Sequence, residues 1–417
     1  VEKGEFLPLD LWKQVRNKFA FVDADPQLGK RLFFDNSGGS LRLLAAIDAK
    51  MELDLIPDCP ERYHERADLL NAVIQKGTND ILRVILGAKD GALMTEMTAS
   101  QTIFQGISTI LENVEGTNAV TSNVEHPSAY DALKFYCQKN NREFRVAEAN
   151  PLTGFVEPEK VAALVDENTI VVSIMASSNI SGNIMDLENI VKLVRAKNPD
   201  VYIISDAVQH VPHGLMDVDK LKLDFVNFAP YKFMASRGIG VAYVSDRMCK
   251  LPHHKLLGKG DEVWELGTPT PSLFASISAV VDYVCWIGEH FVNVSDRREL
   301  FSEGMKRIAL QERALMNYTV EGLRKIEGVT LFLDNNDLER KDFIIAIDIN
   351  GKDLTECVKE YQRRGVTVYE RVNTSIYSKR IVEALNFEGA IRVSPLHCHT
   401  CEEIDEFLRI TAEIAAL

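Results

Sequence analysis

The sequence predicts an α/β protein: a large domain on a mostly parallel, seven-stranded sheet, followed by a smaller α+β C-terminal domain. Three observations predict it. Short β-rich runs alternate with helical patterns from about Gly91 to Ser245, polar residues gather where those runs end, and beyond Val281 the pattern changes to long amphipathic helices.

The runs are Leu93–Met97, Ala119–Val124, Phe144–Val146, Ile170–Met175, Val201–Ser205, Phe225–Phe228 and Gly240–Val244. Parallel strands place ligands at their carboxyl ends, and these ends carry Thr98, His126, Asn179, Asp206 and Lys232. In the C-terminal part, Arg297 to Lys325 and Asp353 to Arg364 read as helices, and Thr330–Leu333, Phe343–Ile349, Val366–Tyr369 and Ala390–Val393 as strands. The expected division is a segment 1–30 packing near the small domain, a large domain 31–285 and a small domain 286–417.

With 417 residues, close to half of them apolar, the chain can bury a large core without staples. A formal charge of -14 removes the bulk electrostatic case for nucleic acid or an acidic membrane surface. Val1 to Asp10 has neither a basic n-region nor an apolar h-region, and the most apolar stretch, Leu273 to Ile287, carries Asp282 and several serines. A soluble, cytoplasmic protein is expected. Seven cysteines, scattered from Cys59 to Cys401, form no disulfide framework and suit a reducing compartment.

The most informative text is Ile203-Ile204-Ser205-Asp206-Ala207-Val208-Gln209, followed by Leu223 to Lys232, which ends Ala229-Pro230-Tyr231-Lys232. Each segment is a buried-looking strand that stops abruptly in polar residues. Singly, such an aspartate is more often a turn or helix cap, and a lone lysine a solvated surface charge. In combination, with Phe233 to Gly240 as a glycine-containing loop, they resemble the aminotransferase class V and cysteine desulfurase family. The resemblance extends from about Leu32 to Phe407 and is most specific between Asp206 and Gly240.

That resemblance implies fold type I and pyridoxal 5'-phosphate (PLP), held as a Schiff base on Lys232. PLP needs a carboxylate at its pyridine nitrogen and an amine that shuttles the substrate Cα proton, roles implied for Asp206 and Lys232. Gln209 would donate to the ring oxygen, and Thr98 and Ala99, at a helix start, would cup the phosphate. Thr98 is equally readable as a plain N-cap. His126, in Val124-Glu125-His126-Pro127, matches the imidazole that stacks on the cofactor. Asn179, otherwise a turn residue before Gly182, matches a residue that reaches substrate or ring oxygen. Arg392 matches the arginine that grips the substrate α-carboxylate; in an apolar strand it otherwise needs a buried partner. Gly39 lies in an N-terminal substrate loop, and Thr268 in a loop that crosses to a neighbouring subunit's phosphate site, so a homodimer is expected.

Two departures bear on the reaction. Ala229-Pro230-Tyr231 replaces the family's Ser-x-His, leaving the Tyr231 phenol as a candidate phosphate donor. The stretch Glu370 to Tyr377, where a desulfurase carries its nucleophilic thiol, has no cysteine, which weakens persulfide chemistry. Cys398-His399-Thr400-Cys401 lacks a second ligand pair and reads as ordinary reduced cysteines at a helix start, so no metal is expected. Arg237-Gly238-Ile239-Gly240 precedes a strand and is no dinucleotide fingerprint. The expected function is a PLP-dependent transferase or lyase that takes a small amino acid through an external aldimine and Cα deprotonation to transamination or β-elimination. Alternatives are a cysteine or selenocysteine desulfurase, an epimerase, or a non-catalytic binding or regulatory protein on the same fold.

Overall fold

A computed structural model describes residues 3–57, 59–334 and 338–417. All seven expected runs enter one sheet. Its strands are β1 (Ala92–Glu96), β2 (Asn118–Ser122), β3 (Glu143–Ala147), β4 (Thr169–Ser173), β5 (Tyr202–Asp206), β6 (Phe225–Phe228) and β7 (Gly240–Val244), in the order β1-β7-β6-β5-β4-β2-β3. Only β7 runs antiparallel to its neighbours. β2 and β4 to β7 are buried along their whole length, which is why they read as continuous apolar runs rather than alternating ones.

Helices flank the sheet and connect it to the rest. The first, α1 (Leu9–Asn17), is tied to the C-terminal part: Arg16 Nη1 donates to the Cys398 carbonyl at 2.9 Å and its Nη2 pairs with Glu403 at 2.9 Å. α2 (Ala99–Asn113) follows β1, and α3 (Pro127–Lys139) follows β2 with Pro127 in its first turn, where the missing amide costs nothing. α4 (Pro271–Glu289) is long and apolar enough to cross a membrane by length and composition, but most of it is buried in this protein, packed on α5 (Arg297–Leu323).

A second sheet holds β8 (Val329–Leu331), β9 (Ile345–Ile349), β10 (Tyr369–Val372) and β11 (Gly389–Val393) in the order β8-β9-β11-β10, all antiparallel. α6 (Leu354–Arg363), α7 (Lys379–Ala384) and α8 (Cys401–Ala416) accompany it. Thr400 and Glu403 form a reciprocal capping box at the start of α8, so the Cys398–Cys401 stretch is a loop-to-helix junction.

Two strand readings need correction. Val366–Tyr369 is not one strand: Val366 and Thr367 pair in parallel with Leu32 and Phe33, and the chain then changes partner so that β10 joins β11. The competing partner is a segment more than 300 residues upstream, invisible to local periodicity. Thr330–Leu333 stops early because Leu333 adopts a left-handed conformation, φ 51°.

A buried polar node joins the two sheets' surroundings. Glu312 of α5 faces His213 Nδ1 at 2.8 Å, just beyond the end of β5, and His397 Nδ1 at 3.4 Å, just beyond the end of β11. Tyr283 of α4 closes the chain with its hydroxyl 2.8 Å from His397 Nε2. Burial works against the His213 imidazolium, but the Glu312 charge outweighs it and raises the pKa; burial likewise opposes the Glu312 carboxylate, and His213 holds its pKa down. The His213 contribution to stability is complete below its ordinary value of 6.5 and fades as pH rises through the raised one. That of Glu312 is complete above 4.5 and fades as pH falls through the depressed one. Glu312→Leu is expected to lose about 3–5 kcal/mol of stability. The loss in Tm should be largest between about pH 5 and 6.5 and shrink in alkali; a pH-independent difference would contradict the ion pair.

Candidate active site

The site is built where β1, β2, β5 and β6 end. Thr98, after β1, caps α2 by accepting the Gln101 amide at 3.2 Å, which leaves the first amides of α2 facing a cavity lined by Thr98, Ala99 and Ser100. Asn227 of β6 fastens this corner by donating to the Ala99 carbonyl at 2.9 Å. Close approach requires Gly240 at the head of β7, where an added Cβ would lie 2.1 Å from the Ala99 nitrogen. Ser128, at the start of α3, shares a 2.6 Å hydrogen bond with Ser100 across the same opening.

Asp206 ends β5 and Lys232 follows β6 on a 3-10 turn, Pro230–Lys232. Two residues on, Met234 has φ 61°, a left-handed conformation that costs a non-glycine residue on the order of 1–3 kcal/mol. Its amide donates to Ser40 Oγ at 2.9 Å and its carbonyl accepts from Leu43 at 3.1 Å, so the 40–43 segment holds the turn that aims Lys232. Gly39 packs against this turn: a Cβ there would lie 3.5 Å from the Tyr231 ring and the Arg237 guanidinium. Arg237 stacks on Tyr231, 3.8 Å from the ring centroid.

Electrostatics set the protonation states. Burial, helped by Arg392 and Arg371 and opposed by Asp206, lowers the Lys232 amine to about 7, so much of it is neutral near physiological pH. Burial raises the Asp206 carboxyl, against the Val208 amide that it accepts at 3.0 Å. His126 caps α3 by accepting the Ser128 amide on Nδ1 at 3.2 Å. Burial, then the charges of Lys232, Arg371, Arg380 and Arg392, push it down to about 3, leaving a neutral ring. Glu125 beside it is pushed up to about 8, chiefly by burial.

Of the residues singled out in sequence, Thr98, Ala99, His126, Asn179, Asp206, Gln209, Tyr231 and Lys232 line one cavity. Arg392 stands behind Asn179 and does not line it: one guanidinium nitrogen donates to the Asn179 carbonyl at 3.0 Å and another meets the half-buried Asp35 at 2.7 Å, a partner its strand position called for. Thr268 lies outside, exposed, on a surface cavity with Met97 and Leu266, and its hydroxyl bonds to Glu61. Ser100, Ser128, Ser177, Asn227 and Arg237 also line it and were not singled out in sequence, since a single polar residue inside a helix, strand or loop carries no signal of what it faces.

The cavity suits PLP. Free helix amides and hydroxyls face one end, a buried carboxyl sits with the lysine amine, and Gln209 and Asn179 each hold a buried side-chain oxygen with no partner in the protein. Fold and cavity together define a PLP-dependent enzyme of fold type I. The aminotransferase class-V family profile matches residues 32–407, and the chain belongs to that family. It is 27% identical over 281 residues to a probable cysteine desulfurase of Borreliella burgdorferi, covering 64% of this chain and 63% of that protein. A cysteine desulfurase of Salmonella choleraesuis is also 27% identical, over 53% of this chain and 54% of that one. These matches span less than two thirds of the relatives' length. In fold, the chain is similar to a cysteine desulfurase of Thermococcus onnurineus NA1, with TM-score 0.82 and 18% identity over 97% of this chain and 98% of that one. It is also similar to the cysteine desulfurase CsdA of Escherichia coli, with TM-score 0.79 and 16% identity over 97% and 98%.

The Lys232 environment has a measurable consequence. The rate at which cofactor-free protein takes up PLP should rise through about pH 7 and level off, because only the neutral amine attacks an aldehyde. Lys232→Ala should fold yet form no borohydride-fixed bond to PLP. A rate that climbs only near pH 10, or a bond surviving in the variant, would identify a different lysine.

Proposed function

We propose that this enzyme removes the Cα proton of a small amino acid with Lys232 and completes either transamination or elimination of a β-substituent. The observation that carries the reading is a lysine amine, lowered by burial to about 7, that lines one cavity with Asp206 and a neutral His126. When bound, PLP supplies the electron sink for charge left at Cα. Lys232, rigidly aimed by the Met234 turn, accepts the proton and can return it. Asp206 would hold the ring nitrogen with its carboxyl, and Gln209 would offer its amide to the ring oxygen. Thr98, Ala99 and Ser100 would offer the phosphate their amides and hydroxyls, with the Tyr231 phenol as a further donor in the same cavity. Asn179, placed by Arg392, faces the substrate.

A second reading, cysteine desulfuration, is favoured by the names of the relatives. Against it, no cysteine lines the cavity among the described residues, and the segment from β10 to α7 offers Thr374 and Ser375. Of the seven cysteines, Cys137, Cys249, Cys285, Cys357 and Cys398 are buried, and burial raises the thiol pKa of each, the opposite of an activated nucleophile. A variant with all seven replaced by serine or alanine, if it folds and binds PLP, should keep its rate within about threefold, since Lys232 and the electron sink are sufficient. A persulfide trapped on one cysteine, with turnover lost on replacing it, would establish the desulfurase instead.

The working unit is proposed to be a homodimer in which the Thr268 loop completes the neighbour's phosphate site. Support comes from the exposed apolar residues beside Thr268: Met97 is 71% and Leu266 56% accessible in the single chain. Sedimentation should give twice the chain mass, and Thr268→Ala should weaken PLP retention; a fully active monomer would contradict it.

A further inference from the structure

His126 enters the catalytic cavity as the cap of a helix. It is the N-cap of α3, and the residue after it, Pro127, has no amide hydrogen. The first amide of α3 that needs an acceptor is therefore that of Ser128, and it donates to His126 Nδ1 at 3.2 Å. A ring nitrogen that accepts carries no hydrogen, so the single hydrogen of the neutral imidazole resides on Nε2. Among the described residues Nε2 meets no partner in the protein, and the ring lines the cavity beside Lys232, Asp206 and Asn179.

The surroundings hold the ring in that state. Arg380 of α7 donates to the carbonyls of Asn123 and Glu125 at 2.5 and 2.6 Å, clamping the chain on its approach to His126. Ser128, whose amide is the donor, is itself tied to Ser100 by the 2.6 Å bond between their hydroxyls. A proton added at Nδ1 would break the cap bond, point a second donor at the Ser128 amide and set a positive charge at the positive end of the helix. Burial opposes that proton, and so do the positive charges of Lys232 after β6, Arg371 on β10, Arg380 on α7 and Arg392 on β11. Neither nearby carboxyl bonds to the ring. Glu125 bonds to Ser122 Oγ at 2.7 Å and is pushed up to about 8, and Asp206 accepts the Val208 amide at 3.0 Å.

We propose that His126 is a fixed hydrogen-bond donor: it keeps its one hydrogen on Nε2, offers it to an oxygen of the bound ligand, and neither takes nor gives a proton during turnover. This rests on the reading of Lys232 as the carrier of the Cα proton and deepens it. A donor of set direction stabilises charge gathering on an oxygen without having to reorganise. It also leaves the proton that Lys232 removes with no competing site on the imidazole.

The first test is NMR of histidine-labelled protein, with the His126 ring assigned through its hydrogen bond to the Ser128 amide. Between about pH 5 and about pH 9, a window that spans the ordinary histidine pKa, Nδ1 should stay without a hydrogen and Nε2 should keep one. Adding PLP to the cofactor-free protein, or L-alanine or L-cysteine to the loaded enzyme, should move the Nε2–H resonance. Movement with PLP puts the accepting oxygen on the cofactor, and movement only with the amino acid puts it on the substrate carboxylate. No movement in either case, or a hydrogen on Nδ1 within that range, would overturn the proposal.

The second test is exchange of the Cα hydrogen of the same two amino acids in D2O. A glutamine amide can present an N–H in place of Nε2 but cannot carry a proton. His126→Gln should therefore keep the exchange rate within about tenfold, while His126→Leu should lose on the order of 100-fold. Glutamine as slow as leucine would mean that the ring moves protons, and leucine at the wild-type rate that it donates to nothing; either result sinks the idea. Should the variants not fold, NMR of the unaltered enzyme still decides. Exchange of neither amino acid by the wild type would instead remove the reading of Lys232, with the state of the His126 ring then judged by NMR, so the two failures are distinguishable.

Discussion

Burial of the Lys232 amine is the constraint on which the rest of this site depends. An amine withdrawn from water, with Arg392 adding to the effect, loses much of its affinity for a proton, and Asp206 resists the change. Holding it there needs a rigid approach, which the left-handed Met234 turn supplies and the 40–43 segment locks with two hydrogen bonds. The strain at Met234 and the close contact at Gly240 are local costs of bringing a lysine and a helix N-terminus to the same opening.

The same loss of solvent sorts the neighbouring groups. His126 stays neutral and Glu125 largely protonated, each driven first by burial. Asp206 lines the cavity itself, while Asp35 pairs with Arg392 behind Asn179. The Glu312 node stands behind this arrangement, where one carboxylate holds the loop beyond β5 and the loop beyond β11 and so couples the Asp206 and Arg392 segments. Gly182 adds a second coupling: with φ 74° it passes so close to the Asp342 carbonyl that a Cβ would lie 2.5 Å away, fixing the Asn179 turn against the chain leading into β9.

Much of this was legible in the residues. The seven runs that form the large sheet announce themselves because strands buried on both faces are apolar throughout, and their polar ends mark where burial stops. Asp206, Gln209, Tyr231 and Lys232 could be named because they terminate such runs within one short stretch. Arg371 was not: the strand read from Val366 ended at Tyr369, two residues before it, and nothing adjacent in sequence reveals that it is buried. The division of Val366–Tyr369 between two partners escaped for the same reason, since Leu32 and Phe33 are remote in the chain.

Local periodicity, caps and abrupt strand ends by themselves determined the α/β class, the seven-run order along the chain and a short set of residues at strand termini, because each depends on neighbours within a few positions. Only the tertiary structure decided which of those residues share a cavity, that Arg392 is paired with Asp35, that Thr268 stands outside the cavity of its own chain, and which groups hold protons. Those properties depend on desolvation and on charges far apart in sequence, and both exist only once the chain has closed around them.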